Sequence, residues 1–366
     1  MTVMSTPRSL ELAITNRCNL RCRYCYHFGS ADDVGRDLPT AEWLQFFGEL
    51  KECAVLDVCL AGGEPFLRDD LRELVAGIVA SRMRFSFLSN GTLITDEMAA
   101  FLRGTGRCNS VQVSIDGEAP EVHDAARGRG SFERAVAGLK ALQRNGISAN
   151  VRVTIHKHNV HHLDEIARLL LEEYALPAFG TNAASYLGLC RLNANDLQLN
   201  AAERSLAMET LLELDRKYPG RIQATAGPLA EARMWLEMER ARKTNQPAPV
   251  GQGCLASCGG VFNKMAVRAD GVMVPCGQLP HIELGRINRD SLREVWQHHP
   301  ELQRLRDRQA IPLTEFEYCR DCGYAAWCRG NCPALAFTLT GDDGQPSPDA
   351  CLKRFLEEGG RLPVES

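Results

Sequence analysis

Short apolar stretches alternate with stretches of helical period along the first half of the chain. Residues 9–15 are mostly apolar and short enough for a strand. Residues 40–51 have helical spacing, with Trp43, Phe46, Phe47 and Leu50 on one side. The same alternation continues with strands at 55–60, 85–89, 110–115, 149–155 and 178–183. Helices fall at 69–81, 95–102, 131–145 and 160–174, with Thr95 and Ser131 read as N-caps. Six such strand–helix units predict an α/β fold, a parallel sheet under helices curled into a partial (β/α)6 barrel of TIM type. Working residues of that architecture lie at the C-terminal ends of its strands.

Beyond residue 200 the pattern changes. Residues 200–218 and 228–242 read as helices, and 243–253 as a polar linker containing proline. After 250 the strand–helix alternation stops and eight of the fifteen cysteines follow. The expected division is a barrel at 1–199, bridging helices and linker at 200–250, and a smaller cysteine-rich domain at 251–366. There, Asp270-Gly271 reads as a hairpin turn between strands at 264–267 and 272–274.

Composition narrows the class. The 366 residues are 45% hydrophobic and 24% charged, as in ordinary globular chains. A formal charge of −4 gives no reason to expect nucleic acid or an anionic membrane. No apolar run approaches the ~20 residues that span a bilayer, and no secretory signal is visible at 1–8. Clustered rather than scattered cysteines favour metal over disulfides, hence a reducing, oxygen-poor cytoplasm.

Three of those cysteines, Cys18, Cys22 and Cys25, lie within eight residues on the loop leaving the first strand. Soft thiolates there suit an iron–sulfur cluster or zinc. Structural zinc takes four ligands, so three leave a position open; a knuckle with a remote fourth ligand and plain core thiols are the alternatives. Other strand ends carry Gly62-Gly63-Glu64-Pro65, Ser89-Asn90-Gly91, Asp116-Gly117 and the segment from His156 to Asn159.

The C-x3-C-x2-C spacing with aromatic Tyr24, and the GGEP at 62–65, resemble the radical S-adenosylmethionine (SAM) superfamily. Ser114-Ile115-Asp116-Gly117, His123-Asp124 and Arg127-Gly128 are similar to the segment after its fourth strand. The resemblance covers roughly residues 9–185. It implies a [4Fe–4S] cluster on Cys18, Cys22 and Cys25, with SAM on its open iron. One-electron cleavage of SAM then gives methionine and a 5′-deoxyadenosyl radical that abstracts hydrogen. Gly62, Gly63 and Pro65 would bring backbone close, with Glu64 at the methionine ammonium. Tyr24 would lie near adenine, Ser114 and Asp116 near ribose or methionine, and Arg127 near the methionine carboxylate.

The later thiols resemble the SPASM domain, which carries two auxiliary [4Fe–4S] clusters. By that resemblance one cluster takes Cys254, Cys258, Cys276 and Cys332, and the other Cys319, Cys322, Cys328 and Cys351. Paired zinc ribbons are the alternative. Of the remaining thiols, Cys53, Cys59 and Cys108 read as core or structural residues, whereas Cys190 is a candidate to approach substrate. His27, His156 and His158 are further acid–base candidates near the open face.

SPASM relatives mostly modify peptides or proteins. The expected activity is hydrogen abstraction from a ribosomally made peptide, installing a crosslink, epimerisation or oxidation. Expected partners are that precursor, a separate leader-recognition protein (the barrel begins almost at residue 1), and an electron donor such as flavodoxin or ferredoxin. Alternatives are a sulfatase-type formylglycine maturase, a tetrapyrrole-modifying enzyme, and a non-enzymatic iron–sulfur carrier or scaffold. In the sulfatase maturases an aspartate follows the cysteine matching Cys276; here Gly277 stands there.

Overall fold

The alternation of residues along the strands decides the architecture, because each parallel strand here is sealed on one face and open on the other. The structure is a computed structural model describing residues 3–30, 36–256 and 260–364. Strands β1 (Ser9–Thr15), β2 (Asp57–Gly62), β3 (Arg84–Ser89), β4 (Cys108–Ser114) and β5 (Ala149–Ile155) follow one another in parallel register. Leu10, Leu12, Val58, Leu60, Phe85, Phe87, Val111, Val113 and Val151 occupy the sealed face, each no more than 1% exposed. Burying each such side chain contributes ~1.5–3 kcal/mol. The opposite face carries Glu11, Cys59, Ser86, Gln112, Ser114 and Arg152, all partly accessible. Closed barrels of this type fill that space with bulky branched residues; these small and polar side chains leave it open.

The chain forms two compact units, of residues 1–115, 119–152 and 259–304, and of 116–118, 153–258 and 305–366. In the first, the hairpin of β8 (Lys264–Val267) and β9 (Val272–Val274) forms where the sequence pattern placed it. It does not stand apart from the barrel strands: β8 pairs in parallel with β1, and β10 (Gly285–Arg286) extends the hairpin. In the second, β6 (Phe179–Ala183) pairs in parallel with β7 (Ile222–Ala224), a three-residue strand too short for a periodicity to reveal. Trp235 and Phe355 centre a further core there with Met208, Ala232, Met238 and Leu352.

Local chemistry departs from expectation in two helices. Ser131 is the first helical residue of Ser131–Arg144, and the cap position falls to Gly130, left-handed at φ 73°. The capping groups come from Asp124, whose carboxylate accepts from the Gly130 and Phe132 N–H groups and the Ser131 hydroxyl. Asp124 belongs to Pro120–Arg127, a helix that the sequence pattern did not reveal. Residues 160–174 form no single helix but a 3₁₀ turn, an α-helix at Leu163–Arg168 and a π turn at Leu169–Glu173.

Candidate active site and cluster-binding cysteines

The three-cysteine loop leaves β1 and is tied down at both ends. Asp37 accepts from the Thr15 hydroxyl at 2.7 Å, the Asn16 N–H at 2.8 Å and the Arg17 guanidinium at 3.0 Å. Asn90, after β3, donates to Asn19 at 2.9 Å, and Arg23 N–H donates to the Ala126 carbonyl at 2.9 Å. None of the three thiols forms a disulfide, and all are half-buried. The Leu20 N–H and Asn90 Nδ2 point at the Cys18 sulfur, at 3.4 and 3.8 Å, and the Arg127 guanidinium lies 3.9 Å from the Cys22 sulfur.

Such donors suit thiolates that share charge with a cluster. Three soft thiolates on one loop, with N–H donors aimed at the Cys18 and Cys22 sulfurs, are a donor set that fits such a cluster. Burial raises the thiols of Cys18 and Cys25 above their ordinary value, so metal binding must displace their protons.

GGEP serves this loop in a way the sequence did not reveal. Gly63 N–H donates to the Thr15 carbonyl and Glu64 N–H to the Arg17 carbonyl, both at 2.8 Å. A Cβ on Gly63 would meet the Arg17 oxygen at 2.1 Å, and one on Gly62 (φ 117°) the Thr15 oxygen at 2.3 Å. The glycines are required by the approach of the cysteine loop's own backbone. Pro65, fully buried, opens a 3₁₀ turn behind them.

Glu64 is fully buried, and its carboxylate accepts from the Ser89 hydroxyl at 2.8 Å, Asn90 N–H at 2.8 Å and Phe66 N–H at 3.2 Å. An ionised carboxylate offers about four acceptor sites, so one remains for a ligand N–H. Burial outweighs these bonds and pushes its pKa up to about 7.

Arg127 is 6% exposed, not a solvated charge; its guanidinium lies 5.2 Å from the Tyr24 ring centroid, covering one face of that ring. Ser114 pairs in register with Arg152, a residue missed from the sequence, at the C-terminal end of β4. Arg152 Nε donates to Gln112 at 3.2 Å, and burial lowers its pKa. Its signal was the alternation of Asn150 and Arg152 with Ala149, Val151 and Val153.

In the second unit, Asp116 is fully buried; its carboxylate accepts from Thr154 N–H at 2.7 Å and its carbonyl from Asn159 at 2.8 Å. His156 is also fully buried, its Nδ1 accepting from the His158 N–H at 3.2 Å. Cys190 lies in the core with no exposure, its pKa pushed up by burial to about 11. In the first unit His27 bonds Asn16 at 2.9 Å and stacks edge-on with Phe28. Cys59, expected in the core, instead sits on the partly accessible face of β2, because alternation gives the sealed face to Val58 and Leu60.

The C-terminal thiols also group. Cys319, Cys322, Cys328 and Cys351 lie within electrostatic reach of one another, and burial raises Cys319 to about 11. Cys254 and Cys332 belong to the same unit, whereas Cys276 belongs to the first. Cys258 lies outside the described residues.

Residues 12–170 match the radical SAM superfamily, and 258–323 an iron–sulfur cluster-binding domain, SPASM. The AdoMet-dependent heme synthase of Methanosarcina barkeri is 28% identical, covering 96% of this chain and 97% of that protein. Mycofactocin maturase MftC of Mycolicibacterium smegmatis is 29% identical over 91% of this chain and 80% of its own. Streptococcus suis SuiB, bound to precursor peptide SuiA, superposes with TM-score 0.71 at 17% identity, over 96% and 77% of the two chains. The fold is thus the radical SAM α/β fold, consistent with a partial barrel, followed by a SPASM domain.

Proposed function

We propose that this radical SAM enzyme with a SPASM domain modifies a ribosomally made peptide, removing hydrogen from one of its carbons. The observation that carries this reading is the open barrel face: Ser86, Ser110, Gln112 and Asn150 offer hydrogen bonds suited to amides, where a flat macrocycle would call for apolar walls. Peptide-directed names among the relatives, mycofactocin maturase and PqqA peptide cyclase, support it.

Cys18, Cys22 and Cys25 would hold the SAM-binding cluster. Reductive cleavage of SAM there supplies the 5′-deoxyadenosyl radical. Glu64 takes an amine N–H, while Ser114 and Arg152 present a hydroxyl and a guanidinium for the methionine carboxylate. Tyr24 would offer adenine its face away from Arg127, and by the family resemblance Asp116 would serve the ribose or methionine. Arg127, beside the Cys22 sulfur, would be a further cation for the methionine carboxylate. Cys319, Cys322, Cys328 and Cys351 would bind one auxiliary cluster, and Cys254, Cys258, Cys276 and Cys332 the other.

A second reading, tetrapyrrole modification, is favoured by the near-complete mutual coverage with the heme synthase. The test offers the reconstituted enzyme, SAM and reductant two probes under anaerobic conditions: short peptides encoded beside its gene, and Fe-coproporphyrin III. A mass change in a peptide, with equimolar 5′-deoxyadenosine, supports the first reading. A mass change in the tetrapyrrole alone overturns it.

A further inference from the structure

One titratable group on the open barrel face has no part in holding SAM or a cluster. Glu11 sits at the middle of β1, in register with Cys59 of β2, which is in register with Ser86 of β3. The Cys59 thiol bonds Ser86, and Lys264 of β8 acts on both Glu11 and Cys59. Tyr26, from the three-cysteine loop, brings its phenol within reach of Glu11, Cys59, Cys25 and Cys276. Tyr26 keeps 39% of its surface accessible.

Gly277 also lies against Glu11. A Cβ there would stand 2.8 Å from Glu11 Oε1, so the glycine leaves the space that this carboxylate fills. A carboxylate, a phenol and a thiol thus lie together at the partly accessible strand face, beside the loop that would hold the SAM cluster. A structural carboxylate would instead be spent on backbone N–H groups, as Asp124 is.

We propose that Glu11 is the proton acceptor for a substrate on the open barrel face. The proposal rests on the peptide reading and specifies its substrate further: a residue whose reacting carbon lies near a thiol, hydroxyl or amide hydrogen. The carbon gives its hydrogen atom to the 5′-deoxyadenosyl radical, forming 5′-deoxyadenosine. The neighbouring S–H, O–H or N–H gives its proton to the Glu11 carboxylate, and the heteroatom bonds to that carbon. The one electron left over passes to an oxidised iron–sulfur cluster of the kind that SPASM domains bind.

The test compares reconstituted wild type with Glu11→Gln, Glu11→Asp and Gly277→Ala, with iron content as the loading control. With a neighbouring peptide as probe, Glu11→Gln loses product formation by ~100-fold or more, the range of general acid–base catalysis. Glu11→Asp recovers part of that loss. Gly277→Ala, which pushes the flexible carboxylate aside, loses at least tenfold. Product formation by Glu11→Gln within threefold of wild type overturns the proposal. If wild type itself modifies no peptide, the peptide reading fails and the proposal falls with it.

Discussion

Gly63→Ala puts the assignment of GGEP as a mainstay of the cysteine loop under direct test. The new methyl would lie 2.1 Å from the Arg17 carbonyl oxygen and 2.6 Å from its carbon, both backbone atoms. Relief requires the two segments to part by more than 1 Å. The 2.8 Å bonds from Gly63 to Thr15 and from Glu64 to Arg17 then break. Two backbone bonds at ~1 kcal/mol each, with an overpacking cost of ~1–3 kcal/mol, give a loss of about 3–5 kcal/mol. For a chain of this size that lowers the melting temperature by ~6–15 °C. Because Arg17 adjoins Cys18, iron loading falls too, from about twelve atoms per chain towards eight. Gly48→Ala is the control. Its Cβ meets nothing within 4 Å inside the helix Thr40–Glu52, so it stabilises by up to ~1 kcal/mol. Melting by scanning fluorimetry and colorimetric iron analysis read both variants. Gly63→Ala melting within 1 °C of wild type with full iron would refute the reasoning.

Three further outcomes follow from particular contacts. Glu64 has a folded pKa of about 7 against an ordinary 4.5, a raised value, so its contribution is complete below pH 4.5 and lost as pH rises through 7. The apoprotein's stability therefore drops across that window by ~3 kcal/mol from this group, and denaturant titrations of Glu64→Gln lack that drop. Asp124→Ala strips three capping bonds from Ser131–Arg144 and costs ~1–2 kcal/mol, read by the same titrations. Cys328→Ala, within the grouped C-terminal thiols, lowers iron from about twelve to about eight per chain without changing the cysteine loop's own iron.

What could be read in advance was whatever the chain encodes locally. The βα alternation, the N-cap at Thr95 and the hairpin at Asp270-Gly271 are short-range patterns, and the folded chain shows each. So is the spacing of Cys18, Cys22 and Cys25. Pairing between distant segments was not legible. Nothing near Lys264 says that β8 will lie beside β1, 255 residues earlier at Ser9. The partner of the Gly63 backbone is likewise invisible until β2 meets the loop. Glu11 and Cys59 looked like ordinary strand residues, because one strand's alternation cannot say which face is left open. Arg152 was hidden for the same reason, and Arg127 needed the fold to show that it faces a sulfur.

The claim on which the rest depends is that Cys18, Cys22 and Cys25 form the site of SAM cleavage. The direct measurement is 5′-deoxyadenosine formation by the reconstituted enzyme with SAM and dithionite under anaerobic conditions, beside Cys22→Ala. Formation by wild type, and none by a Cys22→Ala protein that retains about eight irons per chain, is the predicted result. Equal formation by the two, or none by fully loaded wild type, would contradict it.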